Sequence, residues 1–347
     1  MKNFAFKWMA MTMAVCMGVA VTACGDDEDD NGGGVSPGEV PAVSMTDTNG
    51  NPVYVRSIGS VSFEYDANGK LISFSNDGEV YSIKGNSFSF SYAEDGEEET
   101  INVSVNKQGL ISAISYRFYE KDNHGEEEKD EGKLTYSYNG KKQLTSVSGN
   151  GSWSATDMEN GKKVGEWSGK GTLKETLTWQ NDNLVRADMT SSSSETGTYQ
   201  EDGKKYTETE NNKDVEIYTY TYGQQKNPAL QFPYVMSRSI VGGEDLGGVL
   251  AIVGFFGVGP ANLPTSGTLE YKEIEDGEVD KEGTSTQNFE FDMNANGTIA
   301  TEYIAYQGSY RSTAAQYSYD VTRVAQEARK VVFSMRNALR RGHKSHK

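Results

Sequence analysis

The sequence predicts an all-β protein in which an antiparallel meander closes into a soluble barrel-like or strongly curved sheet. The chain of 347 residues contains 20 Tyr and is rich in Thr and Ser but poor in Leu and Ala, which favours strands over helices. Short runs of alternating apolar and polar residues are separated by Asn-Gly, Asp-Gly and Lys-Gly turns, a pattern typical of β-hairpins. Strand patterns do not alternate with helix patterns, so the sequence excludes an α/β fold.

A hairpin unit recurs through residues 51–320, which we predict to be one β-hairpin-repeat domain. In each unit an alternating run leads through a polar turn, in which glycine supplies a positive φ angle, into a second apolar run. The second runs start near Leu71, Leu110, Leu144 and Leu184, and a fifth unit contains the run 289–292. The leucines are irregularly spaced, which indicates hairpins with loops of variable length at their far side.

Residues 1–23 are predicted to be a lipoprotein signal peptide. Lys2 and Lys7 precede an apolar run over 8–21 that is too short to span a bilayer comfortably. The run is followed by Thr-Ala and then Cys24, which resembles a bacterial lipobox, where small residues admit the peptidase and the thiol is acylated. We therefore predict lipid attachment at Cys24 and membrane contact through that lipid. The alternative is an ordinary secretory signal with a chance cysteine.

Residues 24–50 are predicted to form a tether. An acidic run over 25–30 is followed by glycines at 32–34, and both like charges and glycine keep a chain extended and solvated. The acidic run also resembles the export signal of Bacteroides-type lipoproteins, which implies a lipid-anchored, surface-exposed position at the outer membrane. The formal net charge of -17 excludes nucleic acid as a partner, because its phosphates would be repelled.

A short helical or apolar plug is predicted near 228–264. The segment 245–257 is almost wholly apolar, but it is too short and too rich in glycine to cross a bilayer. We expect it to cover one end of the sheet; the alternative is a patch that touches a membrane or a partner.

Residues 321–347 are predicted to form a C-terminal basic amphipathic helix. Apolar side chains recur at i, i+3, i+4 and i+7 spacing from Val321 to Leu339, with arginine and lysine at the positions between them. We expect a loosely attached tail. Docking on the acidic body, binding to an anionic surface and a frame-altered extension are the alternatives.

No catalytic residue, cofactor or metal ligand is predicted. Two Cys and three His are too few for a zinc cluster or a disulfide scaffold, and His124 lies in an acidic loop. The stretch 292–297 resembles the start of a calcium loop, but Tyr303 occupies the position at which that loop needs a bidentate Glu. A hairpin turn explains the stretch more simply.

Trp153 and Trp167 are the candidate ligand contacts. They flank a turn at 160–161, and pairing across that turn would set Trp153 opposite Ser168 and Trp167 opposite Ser154. Indole rings among small polar residues can stack on sugar rings or on a partner's aromatic groups. The alternative is that both rings point into the core, as large aromatic side chains usually do.

The hairpin at 63–71 resembles the Tyr-Asp repeats of bacterial surface proteins. Together with the stretches 222–228 and 259–266, it resembles a Bacteroides surface-lipoprotein family whose domain of unknown function is described as having a porin-like fold. The likeness covers about residues 53–320. That family has no assigned activity, so no functional residue is carried over. Strands such as 194–198 and 207–210 are polar on both faces, which predicts a soluble sheet rather than one that spans a membrane.

Three functions are compatible with the sequence. The first is a cell-surface, non-catalytic module that binds a glycan or protein ligand, because the chain combines surface targeting with exposed aromatic residues. The second is a carboxylate-dependent glycan hydrolase, which needs two suitably spaced carboxyl groups among 50 acidic residues. The third is a structural lipoprotein of the envelope. Enzymatic activity is not favoured, and neither the ligand nor the oligomeric state is predicted.

Overall fold

The computed structural model describes residues 44–319, with gaps at 67–70, 77–78, 84–86, 95–96, 160–161, 202–203, 230, 237–253 and 306–310. The described residues form antiparallel strands that belong to one sheet. In chain order, the strands are β1 Ser44–Thr46, β2 Pro52–Ile58, β3 Val61–Tyr65, β4 Leu71–Asn76, β5 Glu79–Ser82, β6 Ser87–Glu94, β7 Glu97–Val105, β8 Ile111–Lys121, β9 Glu127–Tyr138, β10 Leu144–Glu159, β11 Lys162–Gln180, β12 Asn183–Glu201, β13 Lys204–Lys226, β14 Asn262–Glu275, β15 Glu278–Met293, β16 Ile299–Ala305 and β17 Arg311–Tyr319.

The sheet is a strongly curved meander. Each strand pairs with the next from β2 to β5 and from β6 to β17, while β17 also pairs with β2 and β1 adds to β2. The two edges are therefore β5 and β6, which the chain joins from Ser82 to Ser87, a reach of at most about 18 Å. Laid flat, the strands between these edges would extend about 70 Å, so the sheet must curl back on itself.

The predicted antiparallel meander is thus confirmed, but its hydrogen-bonded closure is not. Among the described residues no ladder joins β5 to β6, so the structure shows a curved sheet with an open seam. Within the same residues, no helix has the length and hydropathy that crossing a membrane requires.

All five predicted hairpins are present as paired strands: β3–β4, β7–β8, β9–β10, β11–β12 and β15–β16. Their turns use local chemistry, because the Asn106 and Asn139 side-chain oxygens each accept two backbone N–H bonds of 2.8–3.1 Å. The turn residues Gly109 and Lys142 have positive φ angles of 81° and 62°. The hairpin anchors are buried beside these turns: Leu71, Leu110, Leu144, Leu184 and Ile299.

The segment between β13 and β14, which we call the plug, is described at 227–229, 231–236 and 254–261, and these parts cover the end of the sheet at which the turns lie. Residues 245–253 of the predicted apolar run lie outside the described residues. The described part of the plug contains one helical turn at 234–236 and four fully buried side chains: Phe232, Met236, Phe255 and Phe256. Backbone bonds join it to the turns, from the Ile111 N–H to the Phe255 carbonyl (3.0 Å) and from the Val258 N–H to the Lys142 carbonyl (2.9 Å). Apolar burial and backbone pairing together hold the plug in place.

Glu302 is the buried polar group that binds the plug. Its carboxylate accepts the backbone N–H groups of Tyr234 (3.1 Å) and Val235 (2.9 Å), and the Tyr317 hydroxyl also donates to it. Burial raises the pKa of Glu302, although these three hydrogen bonds oppose the shift.

The tether predicted for 24–50 ends earlier than expected. Ser44–Thr46 is already strand β1, paired with β2, and the Met45 side chain is buried in the core. The reason is a tight turn in which Asp47 accepts the N–H groups of Asn49 and Asn51 and so folds β1 back onto β2. The signal peptide, Cys24 and the predicted C-terminal helix at 321–347 lie outside the described residues.

The sheet extends beyond the core at the end opposite the plug, because β10 to β15 are long strands. Along β11, positions 171, 173, 175 and 177 are buried on the inner face, while 170, 172, 174, 176 and 178 are exposed on the outer face. The outer positions carry Lys and Thr, so the outer face is polar.

Candidate functional site

Glycine residues occupy much of the inner face of β9 to β12 in the part of these strands that extends beyond the buried core. Gly151 of β10 pairs with Gly132 on one side and Gly171 on the other, so no side chain rises from this part of the surface. Further along the strands, Gly169 and Gly197 lie on the same inner face. Aromatic side chains can lie flat on backbone of this kind, and the two candidate tryptophans do so.

The pairing predicted for the tryptophan hairpin is wrong by one residue. Trp153 faces Gly169 rather than Ser168, and Trp167 faces Ala155 rather than Ser154. The cause is a β-bulge between residues 157 and 158, which shifts the register next to the turn. Both rings consequently project from the inner face of the sheet.

Trp153 belongs to the packed inner layer. Its side chain is 5% exposed, and a Cβ atom at Gly169 would overlap its ring. Its indole N–H donates to a Glu195 carboxylate oxygen at 2.6 Å. For this residue the structure agrees with the alternative interpretation, in which the ring points inward.

Trp167 lies further from the plug and is half-buried. Its ring lies over Gly197, and its indole N–H donates to the Asp157 carboxylate at 2.9 Å. The Tyr199 ring lies next to the Trp167 ring, with 6.2 Å between the two ring centroids and an interplanar angle of 12°. The Tyr206 ring lies on the other side of Tyr199, with 5.5 Å between these two ring centroids and an interplanar angle of 20°. We call Trp167, Tyr199 and Tyr206 the aromatic strip.

Hydrogen bonds fix the rings of the aromatic strip. Asp157 holds the Trp167 indole, and the Tyr199 hydroxyl donates to Glu208 at 2.7 Å. Tyr206, at the outer end, is 38% exposed. The strip therefore presents three near-parallel rings in fixed positions, reachable from water and bordered by carboxylates.

Asp130 is the carboxyl group with the most unusual environment near the strip. It is 4% exposed, pairs across the strands with Trp153, and accepts the Tyr116 hydroxyl at 2.6 Å. Burial raises the pKa of Asp130 to about 6, since desolvation and the nearby Glu128 outweigh the hydrogen bond from Tyr116. A carboxyl group whose pKa is raised this far by its surroundings is a candidate acid or base.

The Asp130 shift predicts a specific pH dependence of stability. The pKa is raised from 3.8 in the unfolded chain to about 6, so its contribution to folding is complete below pH 3.8 and is lost as the pH rises to about 6. The loss amounts to about 3 kcal/mol. The free energy of unfolding, measured by urea titration at several pH values, should therefore fall between pH 3.8 and about 6 in the unaltered chain, and Asp130→Asn should remove this decrease. Asp188→Asn, at an exposed carboxylate, should retain it; equal profiles for both variants would contradict the assignment.

Other residues singled out in the sequence play no part in this site. His124 lies exposed in the turn between β8 and β9. The stretch 292–297 is a hairpin turn, in which the Gly297 N–H donates to the Asn294 carbonyl at 2.9 Å. In the part of the chain that the structure describes, no group of three or more His, Cys, Asp or Glu side chains could hold a metal ion.

Sequence reasoning missed Tyr199 and Tyr206. A signal was present, because the two residues are symmetric about the turn at 202–203 and a regular hairpin pairs them directly, as the structure does. The near-parallel arrangement with Trp167 depends on the bulge at 157–158 and on Gly197, and neither effect is visible as a local pattern.

No protein-family model matches the chain, and no curated protein matches it. Among solved structures, it is similar to a porin-like protein from Bacteroides vulgatus, with 12% identity over 81% of this chain and 98% of that one and a TM-score of 0.43. It is also similar to a porin-like protein from Bacteroides uniformis, with 13% identity over 82% of this chain and 100% of that one and a TM-score of 0.36. The lipoprotein family named from the sequence stays a prediction.

Proposed function

We propose that the chain is a non-catalytic glycan-binding module displayed at the cell surface and that the aromatic strip is its contact surface. The observation that carries this proposal is the row Trp167, Tyr199 and Tyr206, with three near-parallel rings at centroid spacings of 6.2 and 5.5 Å. Rings presented in this way offer apolar faces on which the C–H faces of successive sugars can stack.

The strip is rigid before any ligand arrives, which favours binding. The Trp167 and Tyr199 polar groups are already bonded to Asp157 and Glu208, so their rings lose little freedom when a ligand stacks on them. Gly197 beneath the Trp167 ring supports it from behind. The bordering carboxylates can also accept hydrogen bonds from sugar hydroxyl groups.

The charge around the strip favours a neutral glycan. Asp157 and Glu208 contact the rings, and the chain has a formal net charge of -17. Uronic acids and sulfated sugars would bring like charges to this surface and be repelled. We therefore expect neutral polysaccharides to bind in preference to anionic ones.

The polar outer face supports attachment to the membrane through Cys24 rather than through the sheet. Hydroxyl groups pair across neighbouring strands on this face, as between Thr196 and Thr209 (3.3 Å) and between Thr268 and Thr286 (3.0 Å). Such a surface is stable in water. In this proposal a lipid on Cys24 and the acidic tether hold the sheet at the outer membrane while the strip remains free.

The proposal is tested by titrating the full chain, purified in detergent, with amylose, xylan and galactomannan as neutral probes and with pectin and chondroitin sulfate as anionic ones. At least one neutral probe should bind. Trp167→Ala and Tyr199→Ala should each weaken that binding by about tenfold, since each removes one stacking ring.

The matched control is Tyr119→Ala on β8, which removes a tyrosine from the opposite face of the sheet. It should leave the affinity unchanged. Binding that survives both strip variants, or that falls equally in the control, would refute the strip as the contact surface. Release of new reducing ends during the titration would favour the hydrolase instead, for which the raised pKa of Asp130 is the supporting observation.

A further inference from the structure

A cavity with a volume of about 390 Å³ lies on the inner face between β13–β17 and the plug, away from the aromatic strip. Its floor is apolar, because Gly267 lies beside the rings of Tyr220 and Phe289, and a Cβ atom on Gly267 would be 3.2 Å from each ring. Leu269 and Ile304, both half-buried, extend this apolar surface. Glycine at 267 thus leaves open a space that suits a small organic molecule.

The mouth of the cavity is polar. Ser285, Gln287 and Thr313 line it and are exposed, so the cavity is accessible from water. Ser285 and Gln287 alternate with outward-facing residues of β15 and therefore share the inner face with Phe289. The cavity consequently has apolar rings at its floor and hydrogen-bonding side chains at its opening.

The lining is uncharged. Charged residues make up 24% of the chain, yet among the described residues that line the cavity none carries a charged side chain. An ionised ligand would lose part of its hydration here and would gain no counter-charge from the lining. A neutral ligand avoids this cost and gains from covering the apolar floor.

The plug supplies one wall of the cavity. Tyr234 and Val235 line it, and their backbone N–H groups donate to Glu302 at 3.1 and 2.9 Å. The cavity is therefore complete only while the plug is bound to the sheet. A molecule that fills the cavity should stabilise that bound state, because it has a complete site only there.

We propose that this cavity binds a small uncharged molecule that consists of an aromatic ring system and one hydroxyl group. The ring system packs on Tyr220, Leu269 and Phe289, where aromatic contacts add to the burial of apolar surface. The hydroxyl group lies at the mouth, within reach of Ser285 and Gln287 as hydrogen-bonding partners. This site is separate from the aromatic strip and does not depend on glycan binding.

Calorimetric titration of the full chain tests the proposal with three probes of similar shape. They are 2-naphthol, which is neutral at pH 7, the anion 2-naphthoate and the cation 2-naphthylmethylammonium. We expect 2-naphthol to bind at least about tenfold more tightly than either ion, because only the ions lose hydration without compensation. Equal or tighter binding of either ion, or no binding of 2-naphthol, would overturn the proposal.

Two neighbouring residues of β15 provide a variant and its matched control. Ser285→Phe places a ring in the mouth of the cavity, whereas Thr286→Phe places the same ring on the outer face, where Thr286 pairs with Thr268. Both positions are exposed, so both variants should keep the strand content of the unaltered chain in circular dichroism. Ser285→Phe should weaken 2-naphthol binding by at least about tenfold and Thr286→Phe should leave it unchanged. Equal affinities in the two variants, measured in the same detergent, would show that 2-naphthol binds elsewhere.

Amide exchange at Val235 tests the part played by the plug. At a free 2-naphthol concentration about ten times its Kd, this N–H should exchange about tenfold more slowly, because the plug must release the ligand before it opens. The same addition should leave exchange at Val235 unchanged in Ser285→Phe. An unchanged rate in the unaltered chain with 2-naphthol bound would contradict a site that the plug completes.

Discussion

Gly257→Ala is expected to lower the free energy of unfolding by about 3 kcal/mol, because it breaks the contact between the plug and the sheet. Gly257 has a φ angle of +85°, which costs alanine about 1 kcal/mol. A Cβ atom there would also overlap the Lys142 carbonyl oxygen, which accepts the Val258 N–H at 2.9 Å. Loss of that hydrogen bond and displacement of the turn account for the remainder.

Gly277→Ala separates the two causes. Gly277 has nearly the same φ angle, +88°, but no atom lies within 4 Å of the added Cβ. Its substitution should cost only the backbone strain of about 1 kcal/mol. Urea unfolding compares the two variants, and amide exchange at Val258 should accelerate only in Gly257→Ala. Equal losses in both variants would show that the plug contact contributes nothing.

Glu302→Ala is expected to destabilise the chain by about 4 kcal/mol, the largest effect of a polar substitution in this account. The change leaves the N–H groups of Tyr234 and Val235 and the hydroxyl of Tyr317 without an acceptor in a closed interior. Each buried donor that loses its partner costs about 1–3 kcal/mol. The plug should therefore loosen before the sheet unfolds.

Glu290→Ala is the control for Glu302→Ala. Glu290 lies on the paired strand β15, but its side chain is exposed and bridges to Arg311 at 3.1 Å. Exposed pairs of this kind contribute about 0–1 kcal/mol, so the control should remain near the stability of the unaltered chain. A loss at Glu302 no larger than the loss at Glu290 would mean that the carboxylate does not hold the plug.

The parts of the fold that the sequence predicts well are those determined by neighbouring residues. The hairpins were predictable because an Asn, Asp or Gly in a turn acts on the backbone within a few positions, as Asn106 and Asn139 do. A break in the strand pattern between β13 and β14 was predictable for the same reason, since the composition of that segment contrasts with the strands on either side. The open seam was not predictable, because it depends on how β5 and β6 lie relative to each other after the whole sheet has curved.

The site was less predictable than the fold. Trp167 could be chosen because tryptophan is rare in this chain, but the bulge beside it shifted its predicted partner by one residue. Glu175 and Glu302 could not be chosen at all, because 50 acidic residues look alike in sequence. The burial of Glu175 results from strand register. The burial of Glu302 results from the plug, whose residues 234 and 235 bind it although they lie 68 and 67 positions away in the chain.

The central claim, that the aromatic strip binds a glycan while Trp153 stays packed, is tested most directly by nuclear magnetic resonance of the indole N–H groups. The full chain contains four tryptophans, each with its own indole signal, and single substitutions assign them. Trp179 lies at the plug end of the sheet, where its indole N–H donates to the Leu144 carbonyl at 2.8 Å. On titration with oligosaccharides of amylose, xylan and galactomannan, the Trp167 signal should shift while those of Trp153 and Trp179 stay in place. Shifts at Trp153 or Trp179 without a shift at Trp167, or no shift with any of these probes, would contradict the claim.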